Sequence, residues 1–158
     1  MLLAGLDAPV AGALTRRLLA EGDQVRAIVA PGEDADRYAG AYVAAGHPAD
    51  EDLVERAAQG ARTIVLGDLN AATRTAALAA AARAGVERAV LLGEGGEIPA
   101  TMSWVVLVVP RSRLRRRSLA PEDVAEAVDA ADDVAGEPRL VADLGAEAGW
   151  RALRLDPR

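Results

Sequence analysis

Several of the side-chain types most often used for acid–base or nucleophilic chemistry are rare or missing in this 158-residue sequence. It contains one histidine, His47, and neither cysteine nor lysine, because all 18 basic residues are arginine. The absence of cysteine excludes thiol nucleophiles, thiolate metal sites and disulfides. The absence of lysine excludes Schiff-base and lysine-assisted proton transfer. His47 has no second histidine that could join it as a metal ligand, so we expect no metal site. We interpret His47 as a strand-end residue. The alternative is that His47 or Asp68 acts in catalysis.

Arginine forms the densest charge cluster of a chain whose formal net charge is −6. The segment RSRLRRR contains Arg111, Arg113, Arg115, Arg116 and Arg117. We favour a solvated loop paired with acidic neighbours; the alternative is an anion or phosphate clamp, since guanidinium groups match phosphate with paired donors. We expect the cluster at the surface near the carboxyl ends of the strands, because unpaired buried charge is costly. The acidic balance and the lack of interleaved aromatic residues argue against nucleic acid as a partner.

Alternating strands and helices must position these residues. Short apolar runs separated by longer helix-like stretches are typical of βαβ units. The sequence therefore predicts an α/β fold: a three-layer αβα, Rossmann-like arrangement whose mostly parallel, doubly wound sheet has about six or seven strands. No linker divides the chain, which predicts a single domain over 1–158. The predicted strands are 1–5, 24–30, 41–45, 62–67, 87–93, 103–110 and 138–145, and the predicted helices are 9–21, 34–39, 50–59, 70–84 and 118–133.

The order of these segments resembles the atypical and extended short-chain dehydrogenase/reductase families, in particular NmrA-like NAD(P)-binding proteins. The similar segments are, in chain order, TRRLLAEGDQVRAIV, AAARAGVERAVLLG, SWVVLVVP and LAPEDVAEAVDAAD. The family's phosphate turn, G-x-x-G-x-x-G, corresponds to Gly5, Ala8 and Ala11 within GLDAPVA. The resemblance implies NAD or NADP as the cofactor, bound by the loops that follow the strands.

The resemblance also implies cofactor-binding positions after each of the first five strands. After the second strand the family often carries an acidic residue for the ribose or an arginine for a 2′-phosphate. Ala30 and Pro31 occupy that turn here, followed by Glu33 and Asp34, so NADP preference has no support; a solvated acidic turn is the alternative to ribose recognition. The implied positions are Gly5, Asp7, Ala8, Pro9, Val10, Ala30, Gly46, His47, Leu66, Gly67 and Gly93.

The departures from the family pattern predict weak dinucleotide binding and no conventional catalysis. Ala8 places a methyl group where phosphate oxygens usually lie, Pro9 removes one backbone N–H, and Asp7 adds a negative charge. The family's Tyr-x-x-x-Lys pair is missing. The nine-residue segment EGGEIPATM between the fifth and sixth strands has no tyrosine, and the two tyrosines, Tyr38 and Tyr42, are interpreted as core or helix-face residues. A conventional short-chain reductase mechanism is therefore excluded.

Three functions stay open on these grounds. We favour a non-catalytic, NmrA-like protein with a degenerate dinucleotide site and a nucleotide-sensing, regulatory or scaffold role. The second is an NAD(P)-dependent oxidoreductase, epimerase or other biosynthetic enzyme with non-standard catalytic residues, and the third is an interaction protein that has lost the ligand.

The expected partners are a dinucleotide or other phosphate-bearing small molecule, a protein, or a second copy of the chain as a homo-oligomer. We expect a cytoplasmic location without a membrane partner, because the apolar stretch WVVLVV is far shorter than a membrane span and no signal segment precedes the first strand.

Overall fold

A computed structural model describes residues 1–93, 97–109, 120–134, 136 and 139–144. The arginine cluster at 111–117 and the tail after residue 144 lie outside the described residues. The surface position expected for the arginine cluster therefore stays a prediction.

The described residues form a seven-stranded sheet in the order β3-β2-β1-β4-β5-β6-β7. Every neighbouring pair of these strands is parallel. This arrangement confirms the α/β, Rossmann-like fold predicted from the alternation of apolar runs and helices. The strands are β1 Leu2–Ala4, β2 Arg26–Val29, β3 Tyr42–Ala45, β4 Thr63–Leu66, β5 Arg88–Leu92, β6 Ser103–Val108 and β7 Arg139–Asp143.

Helices cover both faces of the sheet, which is why the central strands read as continuous apolar runs. On one face α1 packs against α4 and against a short 3-10 helix, and on the other α2 packs against α3. The helices are α1 Ala8–Ala20, the 3-10 helix Ala35–Tyr38, α2 Glu51–Ala58, α3 Ala71–Arg83 and α4 Pro121–Asp132. Among the described helices, none is both long and apolar enough to cross a membrane.

Local sequence signals explain where the helices begin and end. The side chains of Asp7, Asp50 and Asn70 accept hydrogen bonds from backbone N–H groups three residues on, which caps α1, α2 and α3. The α4 helix starts at Pro121, whose fixed φ suits the first helical position. Gly85 follows the end of α3 with φ of +85°, a conformation that other residues rarely adopt.

The core consists of two apolar clusters, one on each face of the sheet. Leu14 and Leu18 of α1 pack in the cluster that also contains Val128 of α4. Leu78 and the alanines of α3 pack with Val54 of α2 in the other.

One ion pair joins the two long helices of the first face. Arg17 of α1 donates from Nε and Nη2 to Oδ2 of Asp129 on α4, at 3.0 and 2.6 Å. The hydrogen bond to Asp129 raises the pKa of Arg17 above its usual value. A charge-assisted pair with two donors is directional, so it fixes how α1 lies against α4.

The two tyrosines occupy different environments. Tyr38 is 1% exposed in the core, whereas Tyr42 is 76% exposed. The interpretation of Tyr42 as a core or helix-face residue was wrong. Tyr42 begins β3, which is an edge strand of the described sheet. Most residues of β3 are exposed, so a position in this strand does not bury the Tyr42 side chain.

The core packing predicts a large effect for Leu14→Ala. Leu14 is fully buried, and truncating such a leucine costs about 2–5 kcal/mol of unfolding free energy. Urea denaturation followed by circular dichroism measures this loss. Arg16→Ala, on the exposed side of the same helix, is the control and should change the unfolding free energy by at most about 0.5 kcal/mol. Equal losses in the two variants would contradict the assignment of Leu14 to the core.

Candidate functional site

The carboxyl ends of the parallel strands bring the sequence-predicted positions to one edge of the sheet. Gly46, Gly67 and Gly93 each follow a strand, and each donates one more hydrogen bond to the neighbouring strand. The acceptors are the carbonyls of Val29, Ala4 and Leu107, respectively. The structure therefore brings the expected residues together at the edge where open α/β sheets generally form a ligand crevice. Their role in cofactor binding stays a prediction. The positions at this edge are Gly5, Asp7, Ala8, Pro9, Val10, Ala30, Gly46, His47, Leu66, Gly67 and Gly93.

The turn after β1 is tight. Gly5 has φ of +66°, and a Cβ there would lie 2.5 Å from the Leu69 side chain. On the other side, a Cβ on Gly67 would lie 2.1 Å from the carbonyl oxygen of Gly5. The turn is therefore held between two residues that follow β4, and both glycines are needed for that contact.

The N-terminus of α1 is occupied by the protein's own carboxylate. Oδ1 of Asp7 accepts a hydrogen bond from Val10 N at 3.0 Å, and the backbone carbonyl of Asp7 accepts from Ala11 N at 2.9 Å. Pro9 has no N–H to offer. Of residues 8 to 11, Ala8 alone keeps an N–H without an acceptor among the described residues. An anion arriving at this helix end would meet one free donor and one negative charge.

The turn after β2 contains a charge pair that the sequence analysis missed. Oε2 of Glu33 accepts from the backbone N–H of Ala30 at 3.0 Å and contacts Nη2 of Arg37 at 2.5 Å. The Arg37 side chain is 11% exposed, and its guanidinium lies 5.2 Å from the ring centroid of Tyr38. No arginine stands in the turn itself, but the 3-10 helix returns Arg37 to it. The i,i+4 spacing of Glu33 and Arg37 was the available signal.

His47 and Asp68, the alternative catalytic candidates, lie in the loops after β3 and β4. Nδ1 of His47 accepts from Ala49 N at 3.1 Å, and its carbonyl accepts from Asp50 N. These bonds form the turn that leads into α2. Asp68 is exposed, and Asn70, not Asp68, caps α3. Within the described residues no group of three metal-binding side chains comes together.

A groove of about 360 Å³ lies against α1, between the 3-10 helix and the start of α4. Two of its lining residues carry buried polar atoms that have no hydrogen-bond partner in the described structure: Oγ1 of Thr15 and Nε of Arg37. The exposed Arg16 lines the groove as well. The groove thus adds polar donors beside the N-terminus of α1.

Tyr38 is the one core tyrosine, but it lies beneath the site rather than in it. Its hydroxyl is buried and makes no hydrogen bond in the described residues. Burial raises the pKa of Tyr38 above its ordinary value, because the phenolate would lose its hydration. A hydroxyl without solvent access or a base beside it is not placed to transfer a proton to a ligand.

No protein-family model and no curated protein matches this chain. Solved structures do. ChuY, an anaerobillin reductase from Escherichia coli O157:H7, is 15% identical with a TM-score of 0.68, covering 90% of this chain and 94% of that one. A short-chain dehydrogenase/reductase from Veillonella parvula, solved in complex with NADP, is 13% identical with a TM-score of 0.71, covering 92% of this chain and 94% of that one.

An epimerase has the same fold. UDP-glucose 4-epimerase from Thermus thermophilus, solved in complex with NAD, is 14% identical with a TM-score of 0.63, covering 98% of this chain and 81% of that one. At these identities the likeness establishes the fold: this chain shares the Rossmann architecture of reductases and epimerases that have been solved with nicotinamide dinucleotides.

The local geometry predicts different effects for two glycine-to-alanine changes. Gly67→Ala would place a methyl group against the backbone of Gly5, so it should lower the unfolding free energy by at least about 3 kcal/mol, the upper end of overpacking costs. Gly12→Ala, within α1, would place its Cβ 3.2 Å from the flexible tip of Arg16 and 3.6 Å, an ordinary contact distance, from the Arg37 carbonyl oxygen. It should be neutral or raise stability by about 0.5–1 kcal/mol. Thermal and urea unfolding measure both, and a tolerated Gly67→Ala would refute the close approach.

Proposed function

We propose that this protein is NmrA-like and acts through weak dinucleotide binding, in nucleotide sensing or regulation, rather than through hydride transfer. The observation that carries the proposal is the Asp7 carboxylate, hydrogen-bonded to Val10 N at 3.0 Å across the first turn of α1. That helix end is where a Rossmann fold holds the pyrophosphate.

The N-terminus of α1 supports weak rather than tight binding. In a working site the free N–H groups and the positive end of the helix dipole both face the pyrophosphate. Here the pyrophosphate must compete with Asp7 for Val10 N–H and must approach a like charge. The dipole contributes roughly 0.3–1 kcal/mol, which a carboxylate in the same turn offsets. We therefore expect the protein to bind a dinucleotide more weakly than an ordinary short-chain reductase does.

The charge pair after β2 favours NAD over NADP in this proposal. A carboxylate in that turn accepts hydrogen bonds from ribose hydroxyls and repels a 2′-phosphate. Glu33 is held there by Ala30 N and Arg37. Because Arg37 is already paired with Glu33, its charge is partly neutralised before any ligand arrives.

The side chains at this edge support binding rather than catalysis. The sequence contains no lysine, so the Tyr–Lys proton donor of short-chain reductases has no counterpart. His47 is engaged in its own turn through Nδ1, and the Tyr38 hydroxyl is buried. A dinucleotide bound here would alter the loops at the strand ends, which is the basis for a sensing or regulatory role.

A second candidate is an NAD(P)-dependent oxidoreductase or epimerase that uses other residues. Its support is the similarity over 90% of the chain to a reductase of comparable length. In that case the cofactor would supply the hydride, and Asp68 or the Nε2 side of His47 would handle the proton. Turnover of NADH with a reducible substrate, lost in His47→Ala or Asp68→Asn, would favour this candidate.

Removing the Asp7 charge should strengthen dinucleotide binding. Asp7→Asn keeps an N-cap side chain and removes the repulsion, so NADH affinity should rise about two- to fivefold, the equivalent of roughly 0.3–1 kcal/mol. Adding Ala8→Gly also removes the methyl group from the phosphate position and should tighten binding further. Isothermal titration calorimetry with NADH and NADPH measures both effects.

Asp23→Asn is the matched control, because it removes the same charge from the turn at the opposite end of α1. It should leave NADH affinity unchanged. Two results contradict the proposal: micromolar or tighter binding of NADH by the unmodified protein, and equal gains from the Asp7 and Asp23 variants.

A further inference from the structure

A second cavity, of about 400 Å³, opens at the amino ends of the strands. It is lined by Arg62 before β4, Glu87 and Arg88 at the start of β5, Ser103 at the start of β6, and Arg139 at the start of β7. The five-residue strand β5 separates it from the turns at the carboxyl edge by about 15 Å. This amino-edge pocket is therefore distinct from the candidate dinucleotide site.

Arg88 forms the base of the pocket as a buried cation. The residue is 4% exposed. Its guanidinium donates from Nε to Ser103 Oγ at 3.3 Å, from Nη2 to the Gly136 carbonyl at 3.2 Å, and from Nη1 to the Asp132 carbonyl. All three acceptors are neutral. The Asp132 carboxylate instead accepts from the hydroxyl of Thr63.

This environment leaves the charge of Arg88 without a carboxylate in contact, within the described residues. Burial lowers the pKa of Arg88 from its usual value, which reflects the cost of desolvating the cation. The carbonyls at the end of α4 compensate in part, since a helix C-terminus carries partial negative charge. Coulombic attraction to the carboxylates of Asp132, Asp133 and Glu87 opposes this lowering of the pKa, but none of them contacts the guanidinium within the described residues. A counter-ion in direct contact would therefore stabilise the buried cation further.

Two further guanidinium groups flank the opening. Arg139 donates to the Ala100 carbonyl at 2.8 Å, and both Arg62 and Arg139 are exposed and lack a carboxylate partner in the part of the chain that the structure describes. Among the described residues of the lining there are three arginines and one carboxylate, that of Glu87. These residues carry two more positive than negative charges in a molecule whose net charge is −6.

The charge and donors of the pocket match a phosphoryl group. A phosphate monoester carries about −1.5 to −2 charges at neutral pH, which balances the excess of two. Guanidinium forks bind phosphate oxygens with paired N–H donors. A cavity of about 400 Å³ is within the size range of small-molecule sites.

We propose that the amino-edge pocket binds the phosphoryl group of a small anionic ligand, with Arg62 and Arg139 as the contacting cations and Arg88 as the buried positive charge beneath it. The inference does not depend on dinucleotide binding at the carboxyl edge.

Titration with inorganic phosphate and with phenyl phosphate tests the pocket. The full-length protein, ¹⁵N-labelled, is titrated in chloride buffer of constant ionic strength, and amide shifts are followed at Arg62, Ser103 and Arg139. Saturable shifts at these residues, in the millimolar range or tighter, are expected. Tighter binding of phenyl phosphate would identify a phosphate ester as the ligand type, and equal binding would identify the free anion. No saturable shift with either probe overturns the proposal.

Matched variants separate a built site from general charge attraction. Arg62→Ala with Arg139→Ala should weaken phosphate binding at least about tenfold. Arg56→Ala with Arg83→Ala makes the same change in net charge on the surface of α2 and α3, and it should leave phosphate binding unchanged. Equal weakening in both double variants overturns the proposal.

NADH titration of the Arg62/Arg139 double variant separates this inference from the proposed function. The result should equal that of the unmodified protein, because the two sites lie at opposite edges of the sheet. A loss of NADH binding in this variant would overturn the independence of the pocket. Arg88→Gln serves as a stability measurement alone: it should lower the urea midpoint, because it removes the donors to the end of α4.

Discussion

The close approach of β4 to the turn after β1 is the contact on which the rest of the molecule depends. β1 pairs with β2 on one side and β4 on the other, so it lies inside the sheet. Gly67 continues that pairing through its bond to the Ala4 carbonyl, and its missing side chain leaves room for the Gly5 carbonyl. A larger residue would move the turn away from β4. The start of α1, and every group capped there, would move with it.

Parallel pairing gives the protein two edges with different chemistry. At the carboxyl edge the N-termini of α1, α2 and α3 are capped by Asp7, Asp50 and Asn70. Two of these caps are carboxylates, so they reduce the positive potential that the helix ends would otherwise offer to an anion. At the amino edge the guanidinium groups of Arg62 and Arg88 contact no carboxylate within the described residues. Within the described residues, the helix caps thus lower the positive potential at the N-termini of α1 and α2, whereas the two guanidinium groups at the amino edge are not offset by a contacting carboxylate.

Much of the fold could be predicted from the sequence because the signals were local. Apolar runs marked the seven described strands, and the predicted helix starts lie within three residues of the observed ones. The unusual turn was also visible: Pro9 removes an N–H wherever it stands, and Asp7 directly precedes a helix. The sequence did not predict that the Asp7 side chain would take Val10 N–H, since that depends on the rotamer allowed by the folded turn.

The sequence alone determined the composition and the local preferences of the chain: the missing lysine and cysteine, the strand–helix order, and an alanine at residue 8. Only the tertiary structure decided which distant residues share an environment. It exposed Tyr42 by making β3 an edge strand, returned Arg37 to the turn after β2, and buried Arg88 beneath the end of α4. Local preferences act over a few residues and can be read in order along a chain. Contacts between residues far apart in the chain, such as Arg88 and Asp132, depend on how the whole sheet and its helices pack, and that packing is not written in any single segment.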